Sequence, residues 1–570
     1  MVGEVFMRHG KIVALCLAMV VGVCSCSTYD QKSIQKDDGA YKEQYEKACT
    51  TPFGKYPETV TYTLGKMTGT NNSNMPEGDT YENNAYTRYL KEMLNVQNQN
   101  VFEVAGTDGY DDVVDMAIVN KNIPDIMVVS DLKTVDKLVK LDMIEDLTQA
   151  YEQCVSERIK TIYNSYSSGL MNNVTYDGKL MALPGTSIDD GPNLLWLRKD
   201  WMDQLGLKEP ESIEDVVSII RAFIKNNPGK NGETVGLVCD TNLSGDGGYS
   251  LEYRADILFA SFDAYPKQWI YDDDGNVVYG SVQKEAKQAL AKLHELYEEN
   301  VLDNKFLLRT TTNIIELIEE GKCGSFFGPW WTPNNPLMQA MAKDSSAQWQ
   351  PYIIPTKGKD IVSYATQNPG YKYVVVRKGY EHPEVAAKII STLFDYGRYE
   401  DKSATELEEC YKQNIDPSAR PIAINIDYSD ALQRCYSNLS AVLDGKKEIT
   451  ELEMLENSYY ESCKTYLDAL EKGERPSLES WAAYTSRITA CSLLQTKTIN
   501  KVESLFFGTT KTMKSEWWQL ETLEKKAYLE IVTGERPIDY FDEFVKEWYR
   551  EGGRKISKEV AEIVKQQYKK

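Results

Sequence analysis

The chain has 570 residues, with 86 acidic and 64 basic side chains and a formal charge of −22. That length supports two domains with substantial cores, and the lack of a basic footprint argues against a nucleic-acid partner. Only three histidines are present, His9, His294 and His382, so histidine-based catalysis has little material.

The chain opens with MVGEVFMRHGKIVALCLAMVVGVCSCSTYD. Arg8 and Lys11 precede an uncharged run from Ile12 to Val23. That run is too short to anchor a chain across a bilayer but suits the core of an export signal. Signals are cut after small residues, and Ser25 before Cys26 fits better than Val23 before Cys24. Val23-Cys24-Ser25-Cys26 resembles a bacterial lipobox. We expect residues 1–25 to be a signal peptide, Cys26 to carry the lipid, and residues 26–56 to form a flexible tether with few core-forming side chains.

Eight further cysteines follow, widely spaced, with no C-x-x-C pair and no close histidine. Structural zinc is therefore not expected. One or two disulfides would suit an extracellular chain, with a pairing that spacing leaves open.

In chain order, PETVTYTLGKM predicts a first strand, NAYTRYLKEMLNV a helix and NQNVFEVAG a second strand. DGYDDVVDMAIVNKNIPDIMVVS predicts helix, turn and apolar strand, with Pro124 and Asp125 at the transition. Helical pattern returns from Val155 to Tyr166. This alternation predicts an α/β lobe with a mostly parallel sheet. LLWL predicts a short buried strand, followed by a helix ending near Gly206. SIEDVVSIIRAFIKNN begins a helix, with Ser212 as the cap and Asp215 three residues later. Another amphipathic helix is expected between Ser281 and Asn300. GKCGSFFGPWW is a strand running into aromatic residues. YKYVVVRKGYEHPEVAAKIISTLFDYG repeats strand then helix, with Pro383 in the first helical turn. From about Pro421 the chain is expected to be mainly helical.

Pro124-Asp125-Ile126, Leu195-Trp196-Leu197-Arg198-Lys199-Asp200-Trp201 and PEVAAKIISTLFDYG resemble segments of the family 1 extracellular solute-binding lipoproteins of carbohydrate ABC importers. FFGTTKTMKSEWWQL, IVTGERPIDYFDEFVKEWYREGG and ISKEV resemble the large oligosaccharide-binding subgroup, and the resemblance covers roughly residues 57–565. It implies an α/β fold of the periplasmic-binding-protein-like type II class, with two α/β lobes, a hinge of crossing strands and extra C-terminal helices. The divisions expected are 57–185 for the first part of lobe 1 and 186–360 for the first part of lobe 2. Residues 361–425 then return to lobe 1, and 426–570 supply mainly helical segments. The implied function is capture of an oligosaccharide in the interlobe cleft and delivery to permease subunits, by a monomer held at the outer face of the membrane. No cofactor is implied.

Similar proteins carry a calcium loop after the second-lobe helix. The matching stretch, Asn226 to Thr234, lacks the spaced aspartates that supply hard oxygen ligands, so no metal is expected. Asp272-Asp273-Asp274-Gly275-Asn276 reads as a turn between strands.

Sugars present apolar faces and hydroxyl rims, which aromatic plates and polar groups can match. Trp330 and Trp331 are the strongest candidates. Strand alternation would turn one toward the core and the other toward the cleft. Asn334 is a weaker polar candidate. Asp189 and Asp190 sit before Gly191-Pro192, where a crossing strand should border the cleft; an exposed turn is the alternative. Trp196, Trp269, Trp481 and Arg254 complete the ligand-binding candidates, with core packing the alternative for the tryptophans. A peptide or other small-solute receptor is the main alternative. A secreted glycan-degrading enzyme and a non-transport surface protein also remain open. An enzyme is not expected, because nothing places a carboxylate pair on matching barrel strands or resembles a nucleophile elbow.

Overall fold

The computed structural model describes residues 38–166, 169–245 and 252–567. The expected signal peptide and the lipidation site Cys26 lie outside the described residues. The chain divides into a short unit, Met1–Glu43, and a main unit, Gln44–Lys570. The helix Asp38–Thr50 runs across that division. Residues 38–50, expected as open tether, are therefore helical; Ala48 is buried in the main unit's core, which gives the last turn a place to pack.

Ten strands set the architecture: β1 (Val60–Thr68), β2 (Val96–Ala105), β3 (Ile126–Val129), β4 (Leu183–Thr186), β5 (Leu194–Arg198), β6 (Ser325–Gly328), β7 (Trp349–Tyr352), β8 (Ile361–Ala365), β9 (Gly370–Val376) and β10 (Thr498–Val502). Lobe 1 is built on a five-stranded sheet in the order β2-β1-β3-β9-β4. β1 pairs in parallel with β2 and β3, while β9 runs antiparallel to β3 and β4. The helix Ala85–Leu94 links the first two strands; the Asn84 side chain accepts from the backbone N–H groups of Tyr86 and Thr87 and so caps it. Asp125 receives the Thr63 backbone N–H at 2.8 Å, the Thr63 hydroxyl at 2.7 Å and the Arg377 guanidinium at 2.5 Å. One carboxylate thus joins the edges of β1, β3 and β9.

Lobe 2 is built on an antiparallel sheet, β6-β5-β7. Successive residues of β5 point to opposite faces. Leu195 and Leu197 enter one core, and Leu194 and Trp196 enter another. Both faces are covered, which is why LLWL is apolar throughout. Ser212 Oγ accepts the Asp215 N–H at 3.2 Å and opens the helix Ile213–Asn226, as the sequence predicts.

The C-terminal helices Met513–Val532, Tyr540–Trp548 and Arg554–Gln567 supply Tyr528, Ile531, Trp548 and Val560 to the Leu195 core. They complete lobe 2. One strand inside the expected helical region was not anticipated: β10 pairs in parallel with β8, starting from Thr498 opposite Ile361. Its side chains are half-buried or exposed, so it carries no strong apolar alternation. The turn at 272–276 is as expected. It joins the short strands Trp269–Tyr271 and Val277–Tyr279, with Gly275 at φ 78°.

Candidate functional site

Beyond Thr186 the chain leaves lobe 1, and Gly191, at φ 73°, turns it toward β5. The two aspartates before that turn part company. The Asp189 carboxylate accepts the Tyr364 hydroxyl at 2.7 Å and pairs with Lys501 at 2.5 Å. It therefore joins the first crossing segment to β8 and β10. Asp190 Oδ1 accepts the Trp330 indole N–H at 2.9 Å and faces a cavity of about 980 Å³.

That cavity takes its walls from both lobes. Lobe 1 contributes Met67, Tyr371, Arg398 and the largely irregular stretch from Asp416 to Asp430; lobe 2 contributes Trp330, Trp331 and Asn334. β6 ends at Gly328, so the two tryptophans lie in a turn rather than on the strand. The alternation argument therefore does not apply, and both line the cavity. Thr332 donates its hydroxyl to Pro329 O at 2.7 Å, and Asn334 donates its amide to Trp331 O at 3.1 Å, which holds the turn in place.

The centre of the wall is a stack. The Arg487 guanidinium lies 4.4 Å from the Trp330 ring centroid and 3.9 Å from that of Tyr459. Cation–π contact of this kind orients a guanidinium through its face and leaves its hydrogen-bonding edge free. Arg487 forms no ion pair among the described residues. Burial pushes the Asp190 carboxyl up to about 6; the Trp330 N–H and the Arg487 charge oppose that rise, and Asp189 adds to it. Arg398 donates to Asp427 Oδ2 at 3.0 Å and to Ile426 O at 3.1 Å. Its Nε–H and the Trp331 indole N–H are buried without a partner, leaving two unused donors on residues of the wall. Arg434 pairs with Asp430 at 2.7 Å and lies 4.1 Å from the Tyr428 ring centroid. Burial, then Glu456, pushes the Glu453 carboxyl up to about 7. Although the chain is strongly acidic, the cavity lining carries six basic and six acidic side chains among the described residues.

Trp330, Trp331, Asp190 and Asn334 thus meet at one cavity. The other candidates lie elsewhere. Asp189 is engaged by Tyr364 and Lys501, behind the lining. Trp196 is fully buried and donates to Gly328 O at 3.2 Å. Trp269 packs on Tyr279 at 5.0 Å in the lobe 2 core, because its strand is one half of the 269–279 hairpin. Trp481 packs against the Trp196 core from the helix Leu478–Tyr484. Arg254 pairs with Asp240 at 3.0 Å and donates to Ser244 O at 2.9 Å, within lobe 2. In the 226–234 loop, Thr234 donates to Asn227 Oδ1 at 2.8 Å and Asn231 to Glu320 O at 2.9 Å. Sequence reading missed Arg398, Tyr428, Tyr459 and Arg487. Of these only Tyr428 lies in a stretch that carried a signal, the proline-punctuated PSARPIAINIDYSDALQR.

Comparison with known proteins bears on the family and the fold. The family model described as bacterial extracellular solute-binding protein matches residues 72–396. A polygalacturonan/rhamnogalacturonan-binding protein, YtcQ of Bacillus subtilis, is 23% identical over 465 residues, covering 80% of this chain and 83% of that protein. The solved structure of the Streptococcus pneumoniae ABC-transporter substrate-binding protein FusA in complex with kestose superimposes with a TM-score of 0.55 at 15% identity, covering 90% of this chain and all of that one. An extracellular solute-binding protein from Bifidobacterium longum subsp. infantis gives 0.57 at 12% identity, covering 90% and 99%. At these identities the structures bear on the fold, which is the periplasmic-binding-protein-like arrangement of two α/β lobes with added C-terminal helices.

Proposed function

This chain belongs to the bacterial extracellular solute-binding protein family, and from that premise we propose that it captures an oligosaccharide in the interlobe cleft and delivers it to the permease of an ABC importer. The observation that carries this reading is the cleft wall, where Trp330 and Trp331 stand beside the Trp330–Arg487–Tyr459 stack. Aromatic faces suit the apolar faces of sugar rings, and the flanking carboxylates and guanidinium groups suit their hydroxyl rims.

The cleft favours a sugar that carries carboxylates. Arg487 presents a guanidinium without an acidic partner, and a uronate would supply the bidentate acceptor that such a fork matches. YtcQ, named for polygalacturonan and rhamnogalacturonan, points to the same class. In this reading Cys26 carries the lipid that fastens the chain to the outer face of the cytoplasmic membrane. Among the described residues no helix is long and apolar enough to cross a membrane. The protein acts as a monomer, binding without turnover.

Calorimetry against neutral oligosaccharides, uronate-bearing oligosaccharides and short peptides tests this. Saturable binding of uronate-bearing sugars, weakened by Trp331→Ala, is the expected result. Tight peptide binding with no sugar response overturns the carbohydrate assignment and leaves a transport receptor. Release of shortened sugar during the titration points to an enzyme.

A further inference from the structure

On lobe 1, outside the cleft lining, Cys49 meets His382 and Glu384 from a distant part of the sequence. Cys49 lies in the last turn of the helix Asp38–Thr50, Glu384 opens the helix Glu384–Ser391, and His382 lies two residues before it. One ligand atom from each lies within 4.8 Å of the others. His382 Nδ1 stands 3.3 Å from Glu384 Oε1. That separation is close to the edge of a tetrahedron drawn around a zinc ion with ordinary bond lengths of about 2.0–2.3 Å. Without a C-x-x-C pair or a neighbouring histidine, cysteine spacing predicts no zinc; folding supplies the histidine from across the chain.

The surroundings are those of an organised site. The Tyr56 hydroxyl donates to Glu384 Oε1 at 2.6 Å, which fixes the carboxylate. Tyr45, Tyr56 and Tyr380 set their rings edge-on around the His382 imidazole, at 6.0, 5.5 and 6.1 Å between centroids. Such packing limits imidazole rotation, as outer contacts do for metal ligands. The nearby Lys388 ammonium is directed to Thr51 O at 2.7 Å. Cys49 and His382 are each partly exposed, so an ion has an entry path.

We propose that Cys49 Sγ, His382 Nδ1 and the Glu384 carboxylate bind a zinc ion. Thiolate and imidazole ligands disfavour calcium and magnesium, which take oxygen, and a mixed sulfur, nitrogen and oxygen set suits zinc. Binding releases the Cys49 thiol proton to solvent; the imidazole ligates as its Nε2–H tautomer, the Nδ1 lone pair turning from the Glu384 contact to the metal, and the carboxylate ligates as the anion. The consequence is mechanical: the ion staples the end of the first helix to lobe 1, where the chain enters the lobe.

The test uses the full-length protein with thiols reduced, titrated with Zn²⁺ and, for a spectroscopic signal, with Co²⁺. One equivalent of Zn²⁺ and a cobalt spectrum with sulfur-to-metal charge transfer are expected. Cys49→Ser should abolish the charge-transfer band and weaken Zn²⁺ binding beyond the roughly 10- to 100-fold cost of losing an outer-shell partner. His382→Gln should weaken Zn²⁺ binding while keeping the sulfur band. Cys154→Ser, which removes a neighbouring thiol that donates to Cys49 O at 3.3 Å, should leave the band in place. Unchanged solute binding in the cleft serves as the folding control for each variant. Absence of metal uptake, a band that survives Cys49→Ser, or isolation of the exported protein with Cys49 and Cys154 oxidised to each other overturns the proposal.

Discussion

The cleft wall and the lobe 2 core contain the same kinds of groups in opposite circumstances. In the cleft, Trp330 and Tyr459 flank Arg487, and the Asp190 carboxyl accepts an indole N–H. In lobe 2, Trp269, Tyr279, Trp517 and Trp548 pack on one another; Tyr279 and Trp548 stack at 5.2 Å with their planes 8° apart. There the Glu524 carboxyl accepts the Tyr279 hydroxyl at 3.0 Å. Burial pushes both carboxyls up, Asp190 to about 6 and Glu524 to about 7. One cluster borders a cavity and sandwiches a guanidinium; the other is sealed by the helices Met513–Val532 and Tyr540–Trp548. Aromatic content therefore does not distinguish core from binding wall. Access to a cavity and an unpaired cation do.

The strongest way to break the comparison is Trp548→Ala, which opens a hole in the sealed cluster. A loss of about 3–5 kcal/mol in unfolding free energy is expected, measured by denaturant titration, with solute affinity of the remaining folded protein unchanged. Glu524→Gln probes the same cluster by pH. The folded Glu524 pKa of about 7 lies above its ordinary 4.5. Its contribution to stability is thus complete below the ordinary value and is lost as pH rises through the folded one. The variant should flatten the fall in stability between about pH 5 and pH 8 by on the order of 1–3 kcal/mol. An unaltered pH profile would show that Glu524 does not hold its proton in the folded state.

On the cleft side, Arg487→Gln should weaken a uronate-bearing oligosaccharide by about 10- to 100-fold, the scale of a charged hydrogen bond, and a neutral sugar by much less. Equal losses for the two would assign Arg487 to packing rather than to charge recognition. Trp331→Ala is the mildest change, with affinity falling about tenfold and stability shifting by less than about 1 kcal/mol. A large loss of stability with intact binding would move Trp331 from the cleft wall to the core.

Local pattern determined much of this molecule. The apolar strands Ile126–Val129 and Leu194–Arg198, the Ser212 cap and the long C-terminal helices follow from periodicity, caps and turn residues acting over a few neighbours. The Trp330–Trp331 pair stands out in the sequence as two adjacent tryptophans ending a strand, but the alternation invoked for it does not hold, since both lie in the turn after β6. Three things only the tertiary structure decided. β10 finds its partner, β8, across a long stretch of chain, and its half-exposed side chains carry little pattern. Trp269 and Trp196 stay open between cleft and core until the packing of neighbouring helices and strands buries them. Arg487, Tyr459 and Arg398 become a wall, and Cys49 with His382 and Glu384 a metal-binding geometry, only when remote segments meet. Sequence periodicity records which face of an element is buried; it does not record what lies opposite that face.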